Sequence, residues 1–355
     1  VRIMEANPDV GLLQTAPGPA RQTTLFGRLV QFASQVHGVA LSAGLAFWQG
    51  DGANYWGHNA IVRLKAFSDH ARLPVLPGRP PWGGEILSHD FVEAALLRRA
   101  GWKVVFDASL GDTWEEVPGN LIGFAARDRR WAQGSLQHLR LLTLPGLHGL
   151  SRLHFVMGAM GYVSSLLWLL ILVAGSAYVF VPALAEAGSL QLPLSRPAGL
   201  SLLAGTAVLL FLPKILGLFL ALLRSPASFG GSLRLAVSGF LEILFSVLLA
   251  PLLMLWHARF VVEIVAGRAV GWDPRYRSGA FLSWREAAQA GIPATLVGVL
   301  WSVMTLALSP VFFLWMSPIF LGLLLAIPLI RWTSSARLGL LARRAGLFMV
   351  PTEVF

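Results

Sequence analysis

The pattern of hydrophobic and polar residues changes once along the chain, near residue 150. Before this point, short apolar runs alternate with segments of helical spacing and with turn residues, and after it the apolar runs are long and nearly uninterrupted. Alternating strands and helices are typical of an α/β layer, and apolar runs of about 20 residues are typical of transmembrane helices. The sequence therefore predicts an α/β domain followed by a polytopic α-helical transmembrane bundle.

Within the first half, the run from Val10 to Thr15 ends in a Pro-Gly-Pro turn and predicts a strand. Residues 24 to 46 have helical spacing. A second helical pattern starts at Phe91 and stops at Gly101, a common helix terminator, and a strand is predicted from Trp102 to Phe106. One strand–helix–strand unit is too small for a sheet domain, so we expect the N-terminal part of the domain to lie upstream.

The second half contains five apolar runs, at Phe155 to Val181, Gly199 to Leu223, Leu235 to Trp256, 292 to 309 and 311 to 330. Basic residues cluster at 224–234, 257–285 and 331–344, and the positive-inside rule places all three clusters on the cytoplasmic side. Five full crossings cannot produce this arrangement. We therefore expect one run to be re-entrant or interfacial, and the segment 260 to 271, which charges interrupt, is the candidate.

Composition and charge narrow the class of protein. Of the 355 residues, 55% are hydrophobic and 13% are charged, whereas soluble domains carry about 25% charged residues. The formal net charge is +10, which by itself would suggest that the protein binds nucleic acid. Residues 1–150 hold 14 basic and 12 acidic residues, whereas residues 151–355 hold 14 basic and 6 acidic residues. The excess lies beside the apolar runs, so no nucleic-acid partner is predicted. The chain has no cysteine, which excludes disulfides and thiolate sites.

These patterns divide the chain into four parts. Residues 1–120 form the C-terminal part of an α/β domain, and 121–150 form an amphipathic interfacial helix region. Residues 151–335 hold the transmembrane helices, with a cytoplasmic or interfacial loop at about 257–290, and 336–355 form a cytoplasmic tail. Within that loop, the polar and aromatic segment Trp272 to Arg277 is a plain linker or a lid over a site.

Asp90 is the first candidate for chemistry. It lies where a Pro- and Gly-rich loop meets the start of a helix. A carboxylate at this position can cap the helix, which is a structural role. It can also act as a general base that takes a proton from an acceptor hydroxyl. The residues alone leave both interpretations open.

The second candidate is the segment Arg127 to Trp131, in the amphipathic stretch just before the first apolar run. Its charges and its indole could simply anchor a helix at the membrane surface. Alternatively, the guanidinium groups of Arg127 and Arg130 neutralise a pyrophosphate, and Trp131 offers a flat face to a sugar ring.

Three weaker candidates stand beside these. Asn59 follows a loop rich in glycine and aromatic residues, and is either an ordinary loop residue or a ligand contact. Lys214 and Glu242 each interrupt an apolar run, and either form an ion pair or leave Lys214 to reach the membrane surface alone. The eight histidines show no spacing typical of a metal site.

The order Ser88-His89-Asp90, then Arg127-x-x-Arg130-Trp131, then membrane helices resembles the processive inverting glycosyltransferases of family 2, which include cellulose and hyaluronan synthases. Those enzymes carry an acidic motif at a helix start and then Gln-x-x-Arg-Trp, so Arg127 replaces the usual glutamine. Along essentially its whole length, the chain is similar to the glucosyltransferases of osmoregulated periplasmic glucan synthesis. The stretches EANPDVGLLQTAP, GGEILSHDFVEAALLRRAGWKV and LPGNLIGFAARDRRWAQGSLQH carry this similarity.

The resemblance implies the C-terminal part of a GT-A domain on the cytoplasmic face of a bacterial inner membrane. It implies inverting transfer of glucose from UDP-glucose to a growing β-1,2-linked glucan, with assistance in its export. Asp90 would be the catalytic base, and the donor and acceptor contacts would be Arg127, Arg130, Trp131 and Asn59. Mg²⁺ would be required, with its ligands upstream, so no metal ligand is expected in this chain. Membrane lipid and a periplasmic glucan-processing protein are further expected partners.

Alternative functions are a synthase of the cellulose or hyaluronan type, a permease or flippase, and a structural subunit of a separate catalytic chain. A transporter would be expected to show inverted repeats. The sequence has no internal repeat, and its charged candidate residues precede the bundle. We therefore favour the glucan synthase, and we expect this stretch of chain to be inactive on its own.

Overall fold

The structure is a computed structural model that describes residues 1–185, 196–269 and 281–353. The segment Trp272 to Arg277, considered above as a linker or a lid, lies outside these ranges. A mixed sheet with flanking helices makes up the N-terminal part, and long apolar helices make up the rest.

The N-terminal elements, in chain order, are α1 (Arg2–Ala6), β1 (Val10–Thr15), β2 (Gly18–Pro19), α2 (Leu25–Ala33), α3 (Val39–Gln49), β3 (Ala60–Val62), α4 (Leu64–His70), α5 (His89–Arg99), β4 (Lys103–Asp107), β5 (Trp114–Glu115) and α6 (Leu121–His138). The predicted strand at β1 is confirmed, and the strand predicted at Trp102 to Phe106 is displaced by one residue. The helix predicted over 24 to 46 is divided, because a π-helical turn, Ser34–Gly38, joins α2 to α3.

Strand β1 is the centre of a three-stranded sheet. It pairs antiparallel with β3 and parallel with β4, and all six of its residues are buried. Its Leu12 packs with Ala94 and Leu97 of α5 in one hydrophobic cluster. A continuous apolar run is the pattern of a strand covered on both faces, and here it places α5 directly against the sheet.

The Pro-Gly-Pro segment after β1 differs from the prediction of a simple turn. Gly18–Pro19 forms the short strand β2, which pairs parallel with β5. Gly18 N–H donates to the Thr113 carbonyl and Ala20 N–H donates to the Glu115 carbonyl. This backbone pairing depends on a segment almost a hundred residues away, which local sequence does not reveal.

The second part contains α7 (Gly149–Ala185), α8 (Arg196–Arg224), α9 (Ser232–Val265), α10 (Trp284–Leu308), α11 (Pro310–Leu324), α12 (Ala326–Thr333) and α13 (Ala336–Arg344). Among the described residues, α7 to α10 are each long and apolar enough to cross a membrane. Helices α11 and α12 bend by 50° at their junction and would make a fifth span if they act as one. Each of the five predicted apolar runs is therefore helical, and the protein is a membrane protein.

Helix α9 contacts the N-terminal part near both of its ends. Leu235, close to its start, packs in a cluster with Leu25 and Phe32 of α2, whereas Glu263, close to its end, forms an ion pair with Arg129 of α6 at 2.8 Å. The chain from 257 to 265, expected to belong to a loop, is thus the last part of a continuous helix. Its charges do not interrupt it, because Glu263 also pairs with Arg259 one turn earlier.

Candidate active site

Helix α6 fixes the segment that leads into α5. The His138 ring lies with Nε2 2.7 Å from the Ser88 carbonyl oxygen, and Leu87 N–H donates to Gln137 Oε1 at 3.1 Å. Burial lowers the pKa of His138 to about 4, so the ring is neutral and its Nε2–H donates to Ser88. Helix α6 and the start of α5 are in this way held as one unit.

Close packing strengthens this contact at Gly134 of α6. A side-chain Cβ at this position would overlap the Ser88 hydroxyl, so only glycine permits α6 to approach the loop this closely. The amphipathic helix predicted from about Leu121 is confirmed at Leu121–His138. Its role now includes the positioning of Asp90, two residues after Ser88.

Asp90 lies within the first turn of α5, after the N-cap position at Ser88. About a quarter of its side chain is exposed, and His89 Nδ1 lies 3.1 Å from its Oδ1. Burial raises the pKa of Asp90, and the nearby His89 and His58 partly oppose that shift. A carboxylate with a raised pKa that still reaches an open space is suited to take up a proton.

The backbone at Gly57 lies directly against this carboxylate. A Cβ built on Gly57 would come within 2.7 Å of Asp90 Oδ1, and Gly57 has a φ of +82°. Both the close approach and the left-handed conformation favour glycine here. The loop that carries Gly57 thus forms one wall around Asp90.

Asp90 and Trp131 line the same cavity, which has a volume of about 510 Å³. The cavity lies between the loop after α3 and helices α5, α6, α7 and α9. Polar and aromatic side chains that also line it include Trp56, His58, Glu115, Asp128, Tyr162 and His257. Part of the wall is the backbone of α7 at Gly161, where an added Cβ would have no atom within 4 Å.

The wall formed by α6, α7 and α9 holds a contact between an imidazole and a carboxylate. His257 Nε2 of α9 lies 3.0 Å from Asp128 Oδ2 of α6, and the His257 ring meets the Tyr162 ring edge-on, with centroids 5.3 Å apart. Carboxylate, imidazole and phenol groups next to an indole are groups that can bind sugar hydroxyls and C–H faces. This wall therefore combines polar contacts with aromatic surface.

A second carboxylate, Glu115 of β5, also faces the cavity. His58 Nε2 lies 3.5 Å from Glu115 Oε2. Burial raises the pKa of Glu115, and the charges of His58 and Arg127 lower it in part. The cavity thus offers two carboxyl groups with raised pKa values, Asp90 at the start of a helix and Glu115 on a short strand.

The structure brings together some of the residues named from sequence and separates others. Asp90 and Trp131 share the cavity, whereas Arg127, Arg130 and Asn59 are not among the residues that line it. The Arg127 guanidinium lies over the Trp131 ring, 4.4 Å from its centroid. Asn59, with φ +52°, donates from Nδ2 to the Trp114 carbonyl at 3.1 Å, so this side chain links the loop to β5.

Sequence reasoning missed Glu115, Tyr162 and His257 as cavity residues. Asp128 was noted only as one charge in the Arg127 to Trp131 segment. Its partner His257 is 129 residues away in sequence, and neither residue belongs to a spacing that predicts a site. Only the packing of α9 on α6 reveals the pair.

Among the described residues, one group of side chains could hold a metal ion: His89, Asp90 and Glu93. These residues already satisfy one another, because His89 Nδ1 lies 3.1 Å from Asp90 Oδ1 and 3.0 Å from Glu93 Oε1. Mg²⁺ prefers oxygen ligands in octahedral geometry, and an imidazole placed between the two carboxylates does not provide that. No metal ion is assigned to this group.

Comparison with known proteins identifies the family of the chain. The family model described as glycosyl transferase family group 2 matches residues 1–181, slightly more than half of the chain. Glucans biosynthesis glucosyltransferase H of Pseudomonas entomophila is 42% identical over 99% of this chain and 42% of that protein. The proteins of the same name from Pseudomonas syringae pv. tomato and pv. syringae are also 42% identical over 99% of this chain, which covers 42% and 45% of them.

The chain spans less than half the length of these curated relatives. The matched range nevertheless includes the sheet, Asp90, the whole of α6 with Trp131, and most of α7, which together form most of the cavity wall. The chain belongs to glycosyl transferase family group 2.

Proposed function

We propose that this chain is part of an inverting glucosyltransferase that polymerises glucose from UDP-glucose into the β-1,2-linked backbone of periplasmic glucans and assists its export. The observation that carries the proposal is the shared cavity of Asp90 and Trp131 at the start of the first apolar helix. Family membership and the names of the relatives support a glycosyl transfer.

Asp90 is the proposed base. The acceptor hydroxyl oxygen bonds to C1 of the donor glucose while the bond from C1 to the diphosphate oxygen breaks, and its electron pair leaves with UDP. The hydroxyl proton passes to a carboxylate oxygen of Asp90. A positioned base contributes about 10²–10⁴-fold to such a rate. Trp131 offers aromatic surface to the acceptor sugar, and the Arg127 guanidinium, 4.4 Å from the centroid of the ring, helps to hold the indole in place.

The leaving diphosphate requires positive charge where its own charge develops. Arg127 and Arg130 are the proposed cations, and Arg127 adjoins the cavity through Trp131 although it does not line it. Enzymes of this family commonly use a divalent metal ion. We propose Mg²⁺ for the intact protein, held by residues outside this chain, since the described residues offer no group that fits it.

The contacts of α9 support a location on the cytoplasmic side of a bacterial inner membrane. A helix that touches the N-terminal part at both ends runs along that part and does not cross away from it. If α9 lies at the membrane surface, the crossings are α7, α8, α10 and the pair α11 with α12. All three basic clusters then share one side with the catalytic part, as the positive-inside rule requires. Cysteines placed at Arg268 and Ser68 should then react with an impermeant maleimide from the same side.

Radiolabelled UDP-glucose supplied to the full-length protein in nanodiscs, with Mg²⁺, tests the proposed reaction. We expect wild-type protein to make a polymer whose linkage analysis gives β-1,2 bonds, and Asp90→Asn to insert normally and lose about 10²–10⁴-fold of the rate. β-1,4 or β-1,3 linkages would instead favour a cellulose- or hyaluronan-type synthase.

Asp69→Asn is the matched control. It makes the same change at an exposed carboxylate of α4 that does not line the cavity, so we expect it to retain full activity. Substantial synthesis by Asp90→Asn would refute the base assignment. Failure of the wild type to consume UDP-glucose would contradict the synthase itself and would favour a transporter.

A further inference from the structure

Helix α3 carries large apolar side chains that are exposed in the described part of the chain. Its 11 residues, VALSAGLAFWQ, include no charged side chain. Phe47 is 92% exposed and Leu41 is 57% exposed. Trp48 is 46% exposed, and its ring lies 5.6 Å from the His154 ring of α7. Scattered single apolar residues are normal on a surface, whereas a continuous uncharged face marks an interaction site.

The other face of α3 is fixed to the catalytic part. Leu45 and Ala46 pack in the cluster that contains Val104 and Phe106 of the sheet, and Gln49 is buried. The outward face is therefore held in one orientation by the domain. A helix of 11 residues is about 16 Å long, which is too short to cross a hydrocarbon core of about 30 Å.

Helix α3 lies beside a helix that is apolar enough to cross the membrane. The π-helical turn that leads into α3 lies against Gly217 of α8, where an added Cβ would be 2.9 Å from the Val36 carbonyl oxygen. α3 itself also packs beside α8. Leu216, next to Gly217, is exposed like Leu41 of α3. The apolar surface of α8 thus continues onto α3.

We propose that α3 lies in the plane of the membrane surface, with Phe47 and Trp48 inserted among phospholipids at the boundary of headgroups and acyl chains. Tryptophan is enriched at this depth, where its amphipathic ring lies at the level of the headgroups. The occupant is lipid and not protein, because the apolar face is continuous with a helix suited to span the bilayer. This proposal does not depend on the glucosyltransferase activity.

The location of α3 gives the membrane a direct connection to the cavity. Seven residues after Gln49, the same segment reaches Trp56 and His58 on the cavity wall and Gly57 against Asp90. Lipid that holds α3 in place would hold this wall in place as well. The catalytic part is then oriented on the bilayer by α3 on one side and by α6 on the other.

Site-directed spin labelling tests the proposal. Phe47→Cys, in full-length protein without other cysteines, is labelled with a nitroxide in nanodiscs of phosphatidylethanolamine and phosphatidylglycerol. The frequency at which the label collides with oxygen, which concentrates in lipid, is compared with the frequency at which it collides with a water-soluble nickel chelate. Two control labels define the extremes: Leu209→Cys on the exposed apolar side of α8, and Ser68→Cys on the exposed surface of α4.

We expect the label at position 47 to resemble the label at 209, with frequent oxygen collisions and nickel collisions several-fold fewer than at 68. Nickel accessibility equal to that at 68 would place α3 in water and overturn the proposal. An immobilised label shielded from both reagents would show that protein covers this face, which also overturns it. Because Phe47 is almost fully exposed, its substitution leaves the fold intact, and the result does not require an active enzyme.

Discussion

The carboxylates of Asp90 and Glu242 differ in what surrounds them. Asp90 faces a cavity of about 510 Å³, and about a quarter of its side chain is exposed. Lys214, Glu242 and His37 instead face one another where α8, α9 and the π-helical turn pack together. Lys214 Nζ lies 2.6 Å from one oxygen of Glu242, and His37 Nε2 lies 3.1 Å from the other.

The contrast explains what each carboxylate can do. Both oxygens of Glu242 have partners, and Ser246 Oγ donates to one of them as well, so this group holds three chain segments together. Asp90 has His89 on one side and open space on the other, and its burial raises its pKa. A closed cluster stabilises an assembly, whereas an open carboxylate beside a cavity can exchange a proton with a substrate.

The open site can be disrupted sterically without a change in its charges. Gly161→Leu adds a side chain to the cavity wall at a position where no atom lies within 4 Å of the new Cβ. We expect the protein to fold and insert normally, and glucan synthesis to fall about 10²-fold, because the acceptor is displaced from Asp90 and Trp131. The measurement is the initial rate with radiolabelled UDP-glucose in nanodiscs.

Gly175→Leu is the control for this prediction. It lies on the same helix, also has no atom within 4 Å of its added Cβ, and does not line the cavity. Normal activity in this variant alongside loss in Gly161→Leu would locate the acceptor path. Equal activity in the two variants would show that the acceptor does not pass through the cavity.

Disruption of the closed cluster of Lys214, Glu242 and His37 should lower the stability of the protein. Lys214→Met leaves the buried Glu242 carboxylate with the His37 ring and the Ser246 hydroxyl as its remaining partners. We expect the free energy of unfolding to fall by about 2 kcal/mol, below the cost of a fully broken buried pair because His37 stays. The double variant Lys214→Met with Glu242→Leu removes the isolated charge and should recover most of the loss. The apparent melting temperature in detergent measures both, and equal destabilisation of single and double variants would contradict the pairing.

The local sequence pattern is sufficient to predict elements that depend on neighbouring residues or on a uniformly apolar sequence. The buried strand at Val10–Thr15, the helix that ends before Gly101 and the long apolar helices all follow from periodicity and terminators. The extent of α9 did not follow, because its late charges resembled a loop. Those charges are satisfied by Arg129 of α6, a contact that exists only after the chain has folded.

The same limit applies to the site. Asp90 and Trp131 were identified because their motifs are continuous in sequence, and the structure places both on one cavity. The Lys214–Glu242 pair was one of two interpretations, and the structure confirms it. The Asp128–His257 pair and the structural role of Asn59 could not be predicted, since each depends on a partner that tertiary packing brings close.

The smallest effect we expect is a shift in the pH dependence of the reaction at Asp90. The proposed base must be ionised, so synthesis falls as the pH falls through the pKa of Asp90. Protonated His89 lowers that pKa, as does His58 across the cavity, and Glu93 lies on the other side of His89. His89→Gln removes the nearer positive charge and therefore raises the pKa of Asp90. We expect the acidic limb of the rate profile to move to higher pH, while the rate on the alkaline plateau changes little.

His70→Gln, at an exposed residue of α4, should leave the profile unchanged. A limb that stays in place, or moves to lower pH, would show that another group controls the ionisation.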